Sequence, residues 1–312
     1  MPTIAIAQAP PAYLDRAATL EKATQIISAE ADAGAQLIMF PEAYVPGYPT
    51  WIWRLRPGGD HALTSDLHRE LVASAVDVAR GDLQPVQDAA RQHAVTVCLG
   101  LHEREGAYSR TTLFNSYVII GPDGSLLNHY RKMVPTNPER MVWGRGDASG
   151  LRVVDTPVGR VGALICWGNF MPLSRQALYA QGVELYLAPT WDYGEDWIGS
   201  MRHIAREGRC WVASCATAMQ ASDLPDDLPG RAELYADPDE WINDGDAILI
   251  APGGKVVAGP LHRDKGVLRG EVDASRVASA RRSLDVAGHY SRPDIFKLSI
   301  DRRPQRPVDF DD

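Results

Sequence analysis

Short apolar runs that meet turn residues at close intervals constrain this chain most strongly. Three pairs read as β-hairpins. Ser116 to Ile120 and Ser125 to Tyr130 flank Gly121-Pro-Asp-Gly124, and Leu151 to Asp155 and Val161 to Cys166 flank Pro157-Val-Gly159. Ala247 to Ile250 and Lys255 to Ala258 flank Pro252-Gly-Gly254. Gly and Pro at such points reverse the backbone and pair the flanking runs. Helical stretches lie between the hairpins. Ala17 to Ala33 puts Leu20, Ala23, Ile27 and Ala31 on one face, and Gly34 stops it. Leu67 to Arg80, Pro85 to Gln92, Leu173 to Gln181, Asp196 to Glu207 and Ala274 to Ser283 read the same way. Further strands are expected at Thr3 to Gln8, Gln36 to Phe40, Val95 to Gly100, Val183 to Ala188, Cys210 to Ala216 and Val267 to Val272. A chain that mixes hairpins with strand–helix crossovers builds an α/β fold, with one mixed sheet or two and helices outside.

No composition break divides the 312 residues. The expectation is one catalytic domain over 1–285 and a tail over 286–312. That tail, rich in Arg and Pro, has little strand or helix signal, so it either wraps a partner subunit or trails in solvent, partly disordered. The acidic, Pro-rich stretch Ser222 to Asp239 reads as a surface loop or insertion.

The charge balance excludes some partners. With 32 basic against 40 acidic residues the net charge is −8, which argues against nucleic acid or an anionic membrane. No run reaches the ~18 apolar residues of a spanning helix. The opening MPTIAIAQAPP lacks the basic region and apolar stretch of a signal peptide. Cys98, Cys166, Cys210 and Cys215 are too scattered for a disulfide framework, and metal-binding spacings are absent. A reducing cytoplasm, no metal and no cofactor are the expectation. Gly144 to Gly150, GRGDASG, lacks the strand-turn-helix context of a phosphate loop.

Three residues share one context. Glu42 follows the apolar run Leu37 to Phe40, Lys132 follows the strand ending near Tyr130, and Cys166 follows Val161 to Ile165. Each falls at the carboxyl end of a buried strand, where open α/β sheets gather ligand sites. From context alone Cys166 reads more simply as a small core hydrophobe, as Cys98, Cys210 and Cys215 do within strand patterns. Glu42 reads as a loop acid, Lys132 as a solvated strand end, and His129 as structural. Together, however, the three have complementary chemistry. A lysine ammonium and a following helix N-terminus favour a thiolate. A carboxylate can take the thiol proton and return it to nitrogen. The ammonium and the Trp167 backbone N–H can hold the charge that develops on the attacked group.

FPEAYVPGYP (Phe40 to Pro49), HYRKMVPTNPER (His129 to Arg140) and ICWGNFMPL (Ile165 to Leu173) resemble the three signature blocks of the nitrilase superfamily. APTWD (Ala188 to Asp192) and RRSLDVAGHYSRPD (Arg281 to Asp294) are similar to its nitrilase branch. The blocks occur in the expected order over about Thr3 to Asp294. The resemblance implies an α-β-β-α sandwich of two mixed sheets flanked by helices. It also implies a Glu-Lys-Cys triad, here Glu42, Lys132 and Cys166, with Glu139 orienting the lysine and the substrate. Family members assemble, so a homo-oligomer is implied, either a dimer or a spiral filament. One position departs: the usual glutamate after Cys-Trp is Gly168 here. Gly168 also lets the Cys166 elbow take a positive φ without strain.

The aromatics Trp51, Trp53, Trp143 and Trp197 are expected mostly to fill core or interface. Tyr48, Trp167 and Trp191 lie in the motif loops and are expected to line the substrate pocket; a flat apolar wall suits an aryl or alkyl nitrile. The implied function is hydrolysis of a small-molecule nitrile to acid and ammonia through a cysteine thioimidate and thioester, with an amide by-product expected from Gly168. An amidase, carbamoylase or cyanide-degrading enzyme shares the same triad. A catalytically silent, filament-forming scaffold is the reading of another class, and an intact Glu42, Lys132 and Cys166 argues against it.

Overall fold

Side chains alternate faces along a strand, and the first strand shows what that does here. Ile4 and Ile6 enter one buried cluster while Ala5 and Ala7 enter a second. A strand buried on both faces lies in the middle of a layered structure. The computed structural model describes residues 1–56 and 58–308.

Strands along the described residues are β1 (Thr3–Ala7), β2 (Ala35–Met39), β3 (Thr96–Arg104), β4 (Leu113–Ile120), β5 (Leu126–Arg131), β6 (Val153–Thr156), β7 (Gly159–Ala163), β8 (Leu185–Pro189), β9 (Trp211–Cys215), β10 (Met219–Gln220), β11 (Trp241–Asn243), β12 (Gly245–Ala251), β13 (Lys255–His262) and β14 (Val267–Glu271). The helices are α1 (Arg16–Asp32), α2 (His61–Ser74), α3 (Gln84–His93), α4 (Pro172–Tyr179), α5 (Gly194–Gly208), α6 (Arg231–Leu234) and α7 (Ser275–Arg281).

Two six-stranded sheets result, ordered β14-β1-β2-β3-β4-β5 and β13-β12-β9-β8-β7-β6. In each, three neighbouring strands run parallel: β1-β2-β3 and β7-β8-β9. Hairpins extend them antiparallel through β4-β5, β6 and β12-β13. Ile4, Ile6, Leu37, Met39 and Ile119 of the first sheet share one core cluster with Val161, Leu187, Val212 and Ile250 of the second. Leu20, Ala23 and Ile27 of α1 and Val86 and Ala90 of α3 cover the first sheet's other face. Trp197, Met201 and Ile204 of α5, with Ala177 and Leu178 of α4, pack on the second. This is the expected α-β-β-α sandwich.

Three expectations shift. The helix expected over Leu67 to Arg80 runs over His61–Ser74 instead. It ends because Val76 pairs with β3, its N–H on the His102 carbonyl at 2.8 Å and its carbonyl accepting from Arg104 N–H at 2.7 Å. The strand expected to reach Cys166 stops at Ala163. The stretch Ser222 to Asp239 is not a simple surface loop: it contains α6 and buries Leu224, Leu228 and Tyr235 against Trp51 and Leu67. β10 and β11 pair at its two ends. In the tail, no strand or helix occurs over 286–308, and Ile295 and Phe296 are exposed. Residues 309–312 lie outside the described residues.

Candidate active site

Glu42 hangs on a turn just past β2. The strand continues to Phe40, whose N–H bonds the Cys98 carbonyl at 2.8 Å, and the chain then crosses over Gly100 of β3. A Cβ on Gly100 would stand 2.0 Å from the Pro41 carbonyl oxygen and 2.9 Å from the Glu42 Cα. Only glycine therefore lets the turn lie this close to the sheet. Lys132 is the first residue after β5, held by its N–H on the Asn115 carbonyl at 2.7 Å. Glu139 sits in a 3₁₀ turn, Asn137–Met141, capped by Thr136.

These three meet. Lys132 Nζ donates to Glu42 Oε1 at 2.8 Å and to Glu139 Oε2 at 2.7 Å, and all three side chains are buried. Asn115 Nδ2 donates to the same Glu42 Oε1 at 2.6 Å, whereas Glu42 Oε2 has no hydrogen-bond partner among the described residues. The Tyr48 hydroxyl donates to Glu139 Oε1 at 2.8 Å, and the Thr136 N–H to Glu139 Oε2 at 2.6 Å.

Cys166 opens the 3₁₀ turn Cys166–Phe170 that leads into α4. The positive φ falls on Cys166 itself, at 48°, and not on Gly168. This corrects the expected role of the glycine: the sulfur-bearing residue carries the strained backbone, as sharp nucleophile turns do. Asn169 clamps the turn, its Nδ2 donating to the Leu164 carbonyl at 3.0 Å and the Cys166 carbonyl at 2.7 Å while its Oδ1 accepts from Tyr186 Oη at 2.6 Å. The Thr190 hydroxyl accepts from the Asp192 N–H at 2.8 Å.

Burial dominates the electrostatics. It raises the Glu42 carboxyl to about 7, against the Lys132 ammonium, which opposes the rise. Burial alone would push Lys132 down, but Glu42, Cys166 and Glu139 outweigh it and hold the ammonium above its ordinary value. Burial, then the Glu42 charge, raises the Cys166 thiol to about 12, with Lys132 opposing. The expected lowering by lysine and helix terminus is therefore overcome. Cys166 is only 5% exposed, so solvent does little to offset that desolvation.

A pocket of about 290 Å³ opens above this cluster, lined by Tyr48, Trp53, Glu139, Cys166, Trp167 and Trp191 among others. Tyr48 and Trp191 stack with ring centres 4.3 Å apart and their planes only 4° from parallel. Trp167 is half-exposed, its Nε1 donating to Asp192 Oδ2 at 2.8 Å. Trp51, Trp143 and Trp197 are core residues, while Trp53 is half-exposed at the pocket. Cys98, Cys210 and Cys215 are buried free thiols. His129 binds Glu103 at 2.8 Å, away from the cluster. Asn115, Asn169 and Thr190 carry no sequence signal beyond being polar residues beside apolar runs.

The sequence pattern of the carbon-nitrogen hydrolase family matches residues 3–282, and the chain belongs to that family. It is 40% identical over 309 residues to Nitrilase 2 of Arabidopsis thaliana, covering 98% of this chain and 90% of that protein. It is 37% identical over 310 residues to the bifunctional nitrilase/nitrile hydratase NIT4A of Lupinus angustifolius, covering 98% and 87%. The crystal structure of a carbon-nitrogen hydrolase from Helicobacter pylori G27 superposes with a TM-score of 0.71 at 18% identity, over 94% of this chain and 96% of that one.

Proposed function

We propose that this enzyme is a nitrilase, converting an organic nitrile to a carboxylic acid and ammonia. Cys166 is the nucleophile, Glu42 the proton carrier, Lys132 the electrostatic stabiliser and Glu139 the residue that orients Lys132. The observation that carries the reading is the divided carboxylate of Glu42. Its Oε1 is engaged by Lys132 and Asn115, and its Oε2 is left without a partner among the described residues in a buried site. A carboxylate raised to about 7 there is matched to taking and returning protons near neutral pH.

Glu42 takes the Cys166 thiol proton as sulfur attacks the nitrile carbon. One π-bond of C≡N becomes an N–H bond with that proton, and a thioimidate forms. Water adds to the C=N carbon, its proton passing through Glu42 to nitrogen. The C–N bond then breaks as the new hydroxyl's proton passes to nitrogen and C=O forms; ammonia leaves, giving a thioester. A second water cleaves the C–S bond, releasing acid and restoring the thiol. Lys132 and the Trp167 N–H stabilise each tetrahedral centre. Tyr48, Trp167 and Trp191 bind the substrate, and the stacked Tyr48–Trp191 wall suits an aryl or alkyl group.

An amide by-product is a second outcome of the same intermediate: C–S breaks in place of C–N. Two observations favour it. Gly168 lacks the carboxylate usual after Cys-Trp, and a Cβ there would meet only the Tyr130 hydroxyl, at 3.9 Å. The Lupinus relative carries both activities in its name.

We further read the chain as a cytoplasmic homo-oligomer. Leu173, Tyr290 and Phe296 are exposed apolar residues along α4 and the tail, and four free cysteines suit a reducing compartment. No helix among the described residues is long and apolar enough to cross a membrane. Light scattering on the intact chain measures the assembly.

The function is tested by ammonia release from paired aromatic and aliphatic nitriles and their amides, with Cys166→Ala as control. A Cys166 adduct by mass spectrometry supports the covalent route. Turnover of amides with none of any nitrile overturns the nitrilase reading.

A further inference from the structure

His102 lies on β3 two residues beyond Gly100, and the two share a face of the strand. Gly100 lets the Glu42 turn approach; His102 meets what comes next along the same face. Its ring is wholly buried and has two partners. Trp143 Nε1 donates to His102 Nδ1 at 2.9 Å, so the proton must sit on Nε2. His102 Nε2 then donates to the Gly47 carbonyl at 2.9 Å. Burial lowers the imidazole to about 3, so it stays neutral and keeps this tautomer across the working pH range.

Both partners bear on the charged cluster. The Trp143 ring lies 5.9 Å from Lys132 Nζ, within reach of a cation–π contact, and packs edge-on to Tyr48 at 5.6 Å. Gly47 directly precedes Tyr48, whose hydroxyl binds Glu139. One neutral ring thus ties down two supports that come from distant parts of the chain.

We propose that His102 is a positioning residue for the hydrolysis: by bonding Trp143 and Gly47 it fixes the indole and the phenol that hold Lys132 and Glu139 beside Cys166. It does not touch substrate. The inference rests on the Lys132–Glu139–Cys166 reading, and it acts on kcat more than on binding, because Lys132 stabilises charge that appears only during reaction.

The test compares His102→Leu with His102→Gln in the full-length enzyme. Leucine fills space but leaves Trp143 Nε1–H and the Gly47 carbonyl without partners; glutamine offers both an acceptor and a donor. The expected result is a fall in kcat of roughly 10- to 100-fold for His102→Leu with a smaller rise in KM, because Tyr48 also lines the pocket, and recovery in His102→Gln to within a few-fold of wild type. Cys166 alkylation by iodoacetamide is the readout that needs no nitrile: a displaced Lys132 supports the thiolate less, so His102→Leu should react several-fold more slowly at fixed pH. If His102→Leu does not fold, Trp143→Phe removes the indole N–H while keeping a ring, and it should lower kcat and alkylation in the same direction. Wild-type kcat and alkylation in a variant that has merely lost thermal stability overturn the proposal. Wild-type enzyme that turns over no nitrile, with slowed alkylation in His102→Leu, refutes the nitrilase reading and leaves the positioning role supported.

Discussion

Lys132 reaches Glu42 across 2.8 Å with both side chains fully buried, and its second bond, to Glu139, makes it one cation between two carboxylates. An ammonium taken out of water is tolerable only with such partners, and each carboxylate needs the ammonium in turn.

Removing the cation should therefore cost stability as well as activity. Lys132→Met leaves two buried carboxylates uncompensated. We expect a loss of about 3–5 kcal/mol in urea unfolding at pH 7, with no detectable ammonia release. A variant of wild-type stability would mean that the pair is solvated in solution.

The raised Glu42 carboxyl has opposite consequences for stability and rate. Its pKa lies near 7 in the fold against an ordinary 4.5, so the native state holds the proton more tightly than the unfolded chain. The associated stability is present below about pH 4.5 and is lost as pH rises through 7. Compared with Glu42→Gln, the wild type should lose stability across that window. Activity runs the other way: kcat/KM should rise with an apparent pKa near 7, belonging to the coupled Glu42–Lys132–Glu139 cluster. An acid limb centred near pH 4 would contradict this assignment.

Cys166 should behave as a thiol until it is activated. With its pKa raised to about 12, iodoacetamide alkylation followed by mass spectrometry should quicken steadily from pH 7 to 10 without a plateau. A plateau between pH 6 and 8 would reveal a resting thiolate and remove the need for Glu42 as base.

Two glycines should answer alanine differently. Gly100→Ala drives a methyl to within 2.0 Å of the Pro41 carbonyl, so the Glu42 turn must move. Loss of activity and at least about 1–3 kcal/mol of stability should follow. Gly168→Ala meets only the Tyr130 hydroxyl, at an ordinary contact distance of 3.9 Å, and should change stability by no more than about 0.5 kcal/mol. Gly168→Glu restores a carboxylate, and chromatography of the products should show the amide fraction fall.

Much of this molecule can be read along the chain. Apolar runs with turn residues between them specify the strands, because burial on one face or both imposes a local pattern. Glu42 stands out as a costly charge set directly after an apolar run, and Lys132 and Cys166 stand out only beside it, as groups of complementary chemistry at strand ends. Other features arise only when distant segments meet. Asn115 is an ordinary strand residue until β4 brings it to Glu42, and His102 is one more histidine until Trp143 and Gly47 arrive. Helix α2 ends early because Val76 finds a partner on β3. The sequence by itself determined an α/β chain of hairpins and crossovers and the identity of the charged and reactive groups, since local pattern and residue type suffice for both; whether one sheet or two results was left open by pattern and was implied only by the family resemblance. Only the tertiary structure decided that Cys166 carries the positive φ and that burial pushes its thiol up, because backbone strain and desolvation depend on everything packed around a residue.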